Sequence, residues 1–205
     1  METRCVVLDI GGVLEMTPAT GWDERWERRL GLPTGSLHRR LDGIWEAGSV
    51  GRITEDEVRA RVAAVLGLDA VRTDAFMADL WDEYLGSPNE ELIAYVRSLR
   101  TRCRLGILSN SFVGAREREQ KLYGFGDLVD DIVYSHEIGV GKPAAAAFEV
   151  TCARLGVRPG DCLFVDDVGA NIAAAEAFGM RGILFTDNAE TIAGIEAHLA
   201  CRHAP

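Results

Sequence analysis

Cys5, Val6, Val7 and Leu8 form an unbroken apolar run that stops at Asp9, with Gly11 and Gly12 just beyond. A run this short with nothing polar inside it predicts a strand over 4–8, buried on both faces of a parallel sheet. The period then changes. From about residue 16 to 87 apolar residues recur at helical spacing. Trp22, Trp26 and Leu30 form one stripe, and Leu37, Leu41, Ile44 and Trp45 a second. Val58, Val62, Val65 and Leu66 form a third, opened by a capping box at Thr54 and Glu57; Phe76, Leu80, Trp81 and Tyr84 form a fourth. Turn residues near Gly31, Pro33, Gly48 and Gly67 separate the stripes. The stretch predicts a small helical bundle and holds all four tryptophans.

Beyond residue 88 helical and strand patterns alternate. Helices are predicted over 89–99, 114–123, 144–155 and 169–178, with strands over 104–108, 131–134, 162–165 and 182–185, and a last helix to finish. Alternation of this kind implies right-handed crossovers and a parallel sheet with helices on both faces. The strand over 4–8 belongs to the same sheet. The expected fold is therefore α/β: a sheet domain from 1–15 and 88–205, interrupted after the Asp9 turn by a helical domain over 16–87.

The 205 residues suffice for a full core, as one domain with an insertion or two small ones. Lysine and arginine number 22 against 32 aspartates and glutamates, a net charge of −10. That argues against nucleic acid and anionic membrane as partners. It leaves room for a phosphate substrate, because a metal and one lysine can make a locally positive pocket. The five cysteines are scattered and form no CxxC, which fits reduced thiols in the cytosol. The apolar run 5–8 is too short for a signal peptide, and no run approaches a membrane span. A cytoplasmic protein is expected, as monomer or homodimer.

Polar residues gather where strands end. Asp9 follows the first strand, Ser109-Asn110-Ser111 another, and Asp166-Asp167 a third, with Asn171 a few residues on; Lys142-Pro143 precedes a helix. Taken singly, each has a plain explanation: a turn, a helix cap, a solvated loop lysine, a favourable charge at a helix start. Together, at the carboxyl ends of parallel strands, they point to chemistry.

This constellation resembles the haloacid dehalogenase-like hydrolase superfamily. Its four motifs are matched by Asp9-Ile10-Gly11-Gly12-Val13-Leu14, by Ser109 with Asn110, by Lys142-Pro143, and by Asp166-Asp167 with Asn171 and Gly179. The helical insertion resembles that superfamily's four-helix cap, and the run 164–171 resembles the phosphatase domain attached to soluble epoxide hydrolases. The resemblance implies a Rossmann-like core and a Mg²⁺-dependent phosphatase for a small organic phosphate monoester, a sugar phosphate being one candidate. It implies that Asp9 is the nucleophile, forming an aspartyl-phosphate, and that Lys142 offsets charge beside it. Ser109 and the backbone N–H groups around Ile10, Gly11, Gly12 and Asn110 are then expected to hold phosphoryl oxygens. Mg²⁺ is expected on Asp9, the Gly11 carbonyl and Asp167, with Asp166 as second choice and Asn171 ordering a water nearby.

Gly11 departs from the commonest pattern, which places a second aspartate there as general acid and base. Ala144, where an acidic residue is common, is a smaller departure. A 2-haloacid dehalogenase also lacks the second aspartate and is the nearest alternative, although that branch typically replaces the last acidic pair by serines. A weakly active phosphate-binding or regulatory protein is the third reading. Met16 and Trp22 are expected on the cap side of the substrate pocket; Trp22, Trp26, Trp45, Trp81 and Phe76 are expected as cap core, with one or two of them facing the site. His136 is one candidate for the missing acid, although a plain loop residue is the expectation, and His198 and His203 are expected at the surface. The basic cluster from Arg25 to Arg29, mixed with Glu24 and Glu27, reads with Arg39 and Arg40 as a solvated face.

Overall fold

Strand β1 (Cys5–Leu8) is buried along its whole length in the computed structural model, which describes residues 4–201. The chain leaves it through the Asp9 turn into a two-residue strand, β2 (Glu15–Met16). Four helices follow: α1 (Trp22–Leu30), α2 (Leu37–Ser49), α3 (Glu55–Leu66) and α4 (Ala70–Tyr84). Strand β3 (Ser87–Pro88) then pairs antiparallel with β2, so the helical cap begins and ends at one narrow neck. The rest alternates through α5 (Glu90–Ser98), β4 (Arg104–Ser109), α6 (Ala115–Tyr123), β5 (Asp131–Tyr134), α7 (Ser135–Ile138) and α8 (Ala145–Leu155). It finishes with β6 (Cys162–Asp166), α9 (Gly169–Phe178), β7 (Arg181–Leu184) and α10 (Asn188–Ala200).

All pairings in the main sheet are parallel, and the strand order is β5-β4-β1-β6-β7. The chain builds outward from β1 on one side and then crosses to build outward on the other. The loops after β1 and β6 therefore diverge, and a crevice opens at their carboxyl ends. Strands β4 and β6 run one residue beyond their apolar stretch, because Ser109 pairs with Tyr134 and Asp166 with Leu184. Backbone pairing does not require an apolar side chain, so the sheet itself carries both polar residues to the crevice.

Alternation along the strands divides their side chains between two layers. Val6, Leu8, Leu105, Ile107 and Val165 pack against Leu92, Ile93 and Val96 of α5 and Ile195 of α10. Cys5, Val7, Leu108 and Phe164 pack against Phe148, Cys152 and Leu155 of α8 and Ala175 of α9. Each fully buried Leu or Phe contributes roughly 1.5–3 kcal/mol. The cap has its own core, where Trp22 and Trp26 meet Phe76 edge-on at centroid distances of 5.1 and 5.2 Å. The capping box forms: the Glu57 N–H donates to Thr54 Oγ1 at 3.3 Å, and the Thr54 N–H donates to Glu57 Oε2 at 2.8 Å.

Two surface expectations fail. Glu27 is buried within its basic cluster, accepting the Leu37 N–H and the Gly35 N–H at 2.8 Å each. Those bonds secure the start of α2 and hold the carboxyl below its usual range. His198 is buried too, at 3 % exposure. Thr191, Ile195 and His198 fall on one stripe of α10, and that stripe faces the sheet. His203 lies outside the described residues.

Burial, reinforced by Arg4 and Arg181, pushes the His198 imidazole below its usual 6.5. A group depressed in the folded state binds more protons when unfolded. Its contribution to stability is complete above pH 6.5 and declines as pH falls through the interval down to the folded value. Urea unfolding between pH 7 and 5 should show His198→Gln losing less stability on acidification than wild type.

Candidate active site

Asp9 is the first residue beyond β1, and its N–H still donates to the Val165 carbonyl at 2.9 Å. Its carboxylate meets the Lys142 ammonium, with Nζ 2.7 Å from Asp9 Oδ1. The same Nζ lies 2.8 Å from Asp166 Oδ2, and the lysine side chain is completely buried. Asp166 also accepts the Val168 N–H at 2.8 Å and both its oxygens lie 3.1 Å from Asn171 Nδ2. Asp167, the next residue, is exposed and turned toward the Asp9 loop. Gly12 has φ +74°, a conformation that favours glycine, and a Cβ there would displace the Asp167 carboxylate.

Asp9, Asp166 and Asp167 each offer a carboxylate oxygen, and these oxygens lie within 4.8 Å of one another. Burial pushes the Asp9 carboxyl up to about 7; Lys142 pulls it down, and the charge of Asp166 pushes it up again. Burial and Asp166 also raise Asp167. Three carboxylates facing one ammonium form a site short of positive charge. An all-oxygen donor set of this kind fits a hard divalent cation such as Mg²⁺.

The lysine is clamped through its backbone. Asn110 Oδ1 accepts the Lys142 N–H at 2.7 Å, and Asn110 Nδ2 donates to the Lys142 carbonyl at 2.8 Å. Ser109 ends β4 buried, beside a cavity of about 200 Å³ that it lines with Ile10, Gly11, Tyr84 and Glu119. Two of the amides expected at a phosphate are engaged within the loop: the Ile10 N–H donates to Asp9 Oδ1 and the Gly12 N–H to the Glu15 carbonyl, at 2.8 Å each. A second cavity, of about 390 Å³, lies under the cap along Trp22, Trp45, Trp81, Tyr84 and Phe112 and reaches Asn110.

A model of the haloacid dehalogenase-like hydrolase family matches residues 3–179. The chain belongs to that family. It is 28 % identical to a phosphatase of Mycobacterium tuberculosis over 98 % of this chain and 95 % of the relative. It is 24 % identical to the bifunctional epoxide hydrolase 2 of Sus scrofa over 96 % of this chain but only 39 % of that protein. Among solved structures, it is similar to a family enzyme of Bacteroides thetaiotaomicron in complex with magnesium and inorganic phosphate. That likeness has a TM-score of 0.76 at 22 % identity, covering 88 % of this chain and 93 % of the other.

Other expectations meet the structure unevenly. Trp22 lines the cap cavity, but Met16 lines neither cavity and is exposed, because in β2 it alternates with the inward-facing Glu15. His136 is no plain loop residue: it lies in α7, and its Nδ1 is 2.6 Å from Ser111 Oγ. The buried Glu119 and the clamp by Asn110 were not anticipated. Glu119 stands in a run of alternating charges, and its only signal is the i, i+4 spacing from buried Ala115.

Replacing Lys142 by methionine would leave Asp9 and Asp166 facing each other without a counter-charge. A loss of about 3–5 kcal/mol is expected in urea unfolding at pH 8 without metal.

Proposed function

We propose that this hydrolase is a Mg²⁺-dependent phosphatase that cleaves a small organic phosphate monoester through an aspartyl-phosphate on Asp9. What carries the reading is the convergence of three carboxylates with the buried ammonium of Lys142, at 2.7 Å from Asp9. A carboxylate attacks a phosphate dianion only where the charge of both is offset. Bound on Asp9, the Gly11 carbonyl and Asp167, with Asp166 behind, Mg²⁺ would supply that neutralisation. The chain's own residues do the rest. Lys142 and the Ile10 amide hold the orientation of the nucleophile. Ser109, at the end of β4, takes a phosphoryl oxygen, and Asn171 fixes Asp166. The same cluster counts against a haloacid dehalogenase, whose chemistry has no use for a divalent cation and so no need of the Asp166-Asp167 pair.

Tyr84 and Asn110 line both cavities, so a substrate anchored at Asp9 extends into the aromatic one. Its walls favour an organic group with apolar faces. The indole N–H groups of Trp45 and Trp81 are buried without an acceptor among the described residues, and they suit an oxygen on that group.

Phosphate release from p-nitrophenyl, sugar and alkyl phosphates tests the reading. Turnover should require Mg²⁺ and fall to the enzyme-free rate in Asp9→Asn. Metal-independent halide release from a 2-haloacid, with no phosphate release, would overturn it.

Within an alkyl phosphate series, kcat/KM should climb with chain length, by up to about fourfold per buried methylene. Trp45→Ala should flatten that slope while the rate on the shortest ester changes little.

A further inference from the structure

We propose that Glu119 is the acid–base residue of this site: it gives a proton to the departing alcohol and then takes one from the water that cleaves the aspartyl-phosphate. The proposal rests on the phosphatase reading and answers the question that Gly11 raises. A Cβ at Gly11 would meet nothing within 4 Å, so the space of the missing side chain is open. Gly11, Ile10 and Ser109 share their cavity of about 200 Å³ with Glu119. A carboxyl delivered from α6 thus stands in the chamber that an aspartate at position 11 would enter.

The surroundings of Glu119 suit the task. The residue is 2 % exposed, and the Tyr134 hydroxyl donates to its Oε2 at 2.5 Å. That bond fixes the carboxyl and leaves Oε1 for proton transfer. Burial, with the charges of Glu15 and Asp9, pushes the carboxyl up to about 7, against the Tyr134 bond and Arg116. Both protonation states are therefore populated near neutrality, as an acid that must next act as a base requires. Glu15 lines the same cavity, but it belongs to the neck of the cap, where its Oε2 accepts the Thr17 hydroxyl at 2.9 Å. His136 lines neither cavity and bonds to Ser111.

In the first half-reaction the Asp9 oxygen bonds to phosphorus while the bond from phosphorus to the ester oxygen breaks. The released electron pair stays on that oxygen, which takes the proton of Glu119. In the second half, a water oxygen bonds to phosphorus, the bond to Asp9 breaks, and the water's proton returns to Glu119. The products are alcohol and inorganic phosphate, and both carboxyl groups end as they began.

The test compares leaving groups in the isosteric variant Glu119→Gln. p-Nitrophenolate leaves without a proton, whereas an alkoxide does not. With Mg²⁺, kcat/KM for an alkyl phosphate should fall by about 10²–10³-fold, while that for p-nitrophenyl phosphate stays within about threefold. The variant should also release a burst of p-nitrophenol equal to the enzyme concentration, because hydrolysis of its aspartyl-phosphate is slowed. Glu119→Asp, which keeps a carboxyl, should recover part of the alkyl ester rate. Equal losses on both esters would assign Glu119 to structure, and no loss on either would remove it from the reaction; each overturns the proposal. Failure of the folded wild-type protein to release phosphate from the aryl ester would instead overturn the phosphatase reading beneath it.

Discussion

The Lys142 ammonium lies wholly buried between the carboxylates of Asp9 and Asp166, and the rest of the site is arranged around that contact. Burying ions costs several kcal/mol each, and only close pairing with further hydrogen bonds offsets it. The protein provides both. Asp166 has Val168 and Asn171 besides the lysine; Asp9 has the Ile10 amide. With Asp167 added, three carboxylates face one ammonium, leaving two negative charges to be met by a divalent cation. Burial raises the Asp9 carboxyl, and the charge of Asp166 adds to that rise against the pull of Lys142.

Delivering these groups to one point is what the parallel sheet does. Asp9 and Asp166 leave adjacent strands, β1 and β6, at the crevice where the chain changes direction. Lys142 arrives from a loop, which by itself would place it loosely, and the two bonds from Asn110 remove that freedom. The cap is tied to the core beside the aromatic cavity, which Trp81 lines. Arg118 of α6 lies 4.0 Å over the Trp81 ring, and its Nη2 is 2.6 Å from Glu55 Oε1. That ion pair is partly exposed, so its strength is modest. A tie of this kind can yield as the cap admits a substrate to the aromatic cavity.

Most of the architecture was legible from period and position. A buried apolar run ending in Asp9, four helical stripes and the later alternation specify a parallel sheet with a helical insertion. The residues that failed to announce themselves share a cause. Glu27, Glu119 and His198 are polar side chains on inward stripes of helices, where hydrophobic periodicity treats them as surface. Met16 failed for the opposite reason: an apolar residue in a two-residue strand has no period to reveal its face. Asn110 was placed in the right loop, but a side chain that clamps a backbone 32 residues away leaves no local trace.

Gly11 and Glu119 together suggest why an acid would sit on α6 rather than on the loop after β1. An aspartate at position 11 would add another negative charge to a cluster already short of positive charge. Its protonation would then be coupled to Asp9, Asp167 and any bound cation, and groups so coupled titrate as one system. Glu119 is reached across a cavity instead. It is held by a neutral hydroxyl, and its carboxyl is raised first by burial and only then by charge. A proton kept there by desolvation depends less on the occupancy of the carboxylate cluster, because desolvation belongs to the fold. The open space at Gly11 also gives the ester oxygen a way to approach that carboxyl. Absence of the loop aspartate and burial of the helix glutamate then become two halves of one arrangement: the first clears the chamber that the second needs.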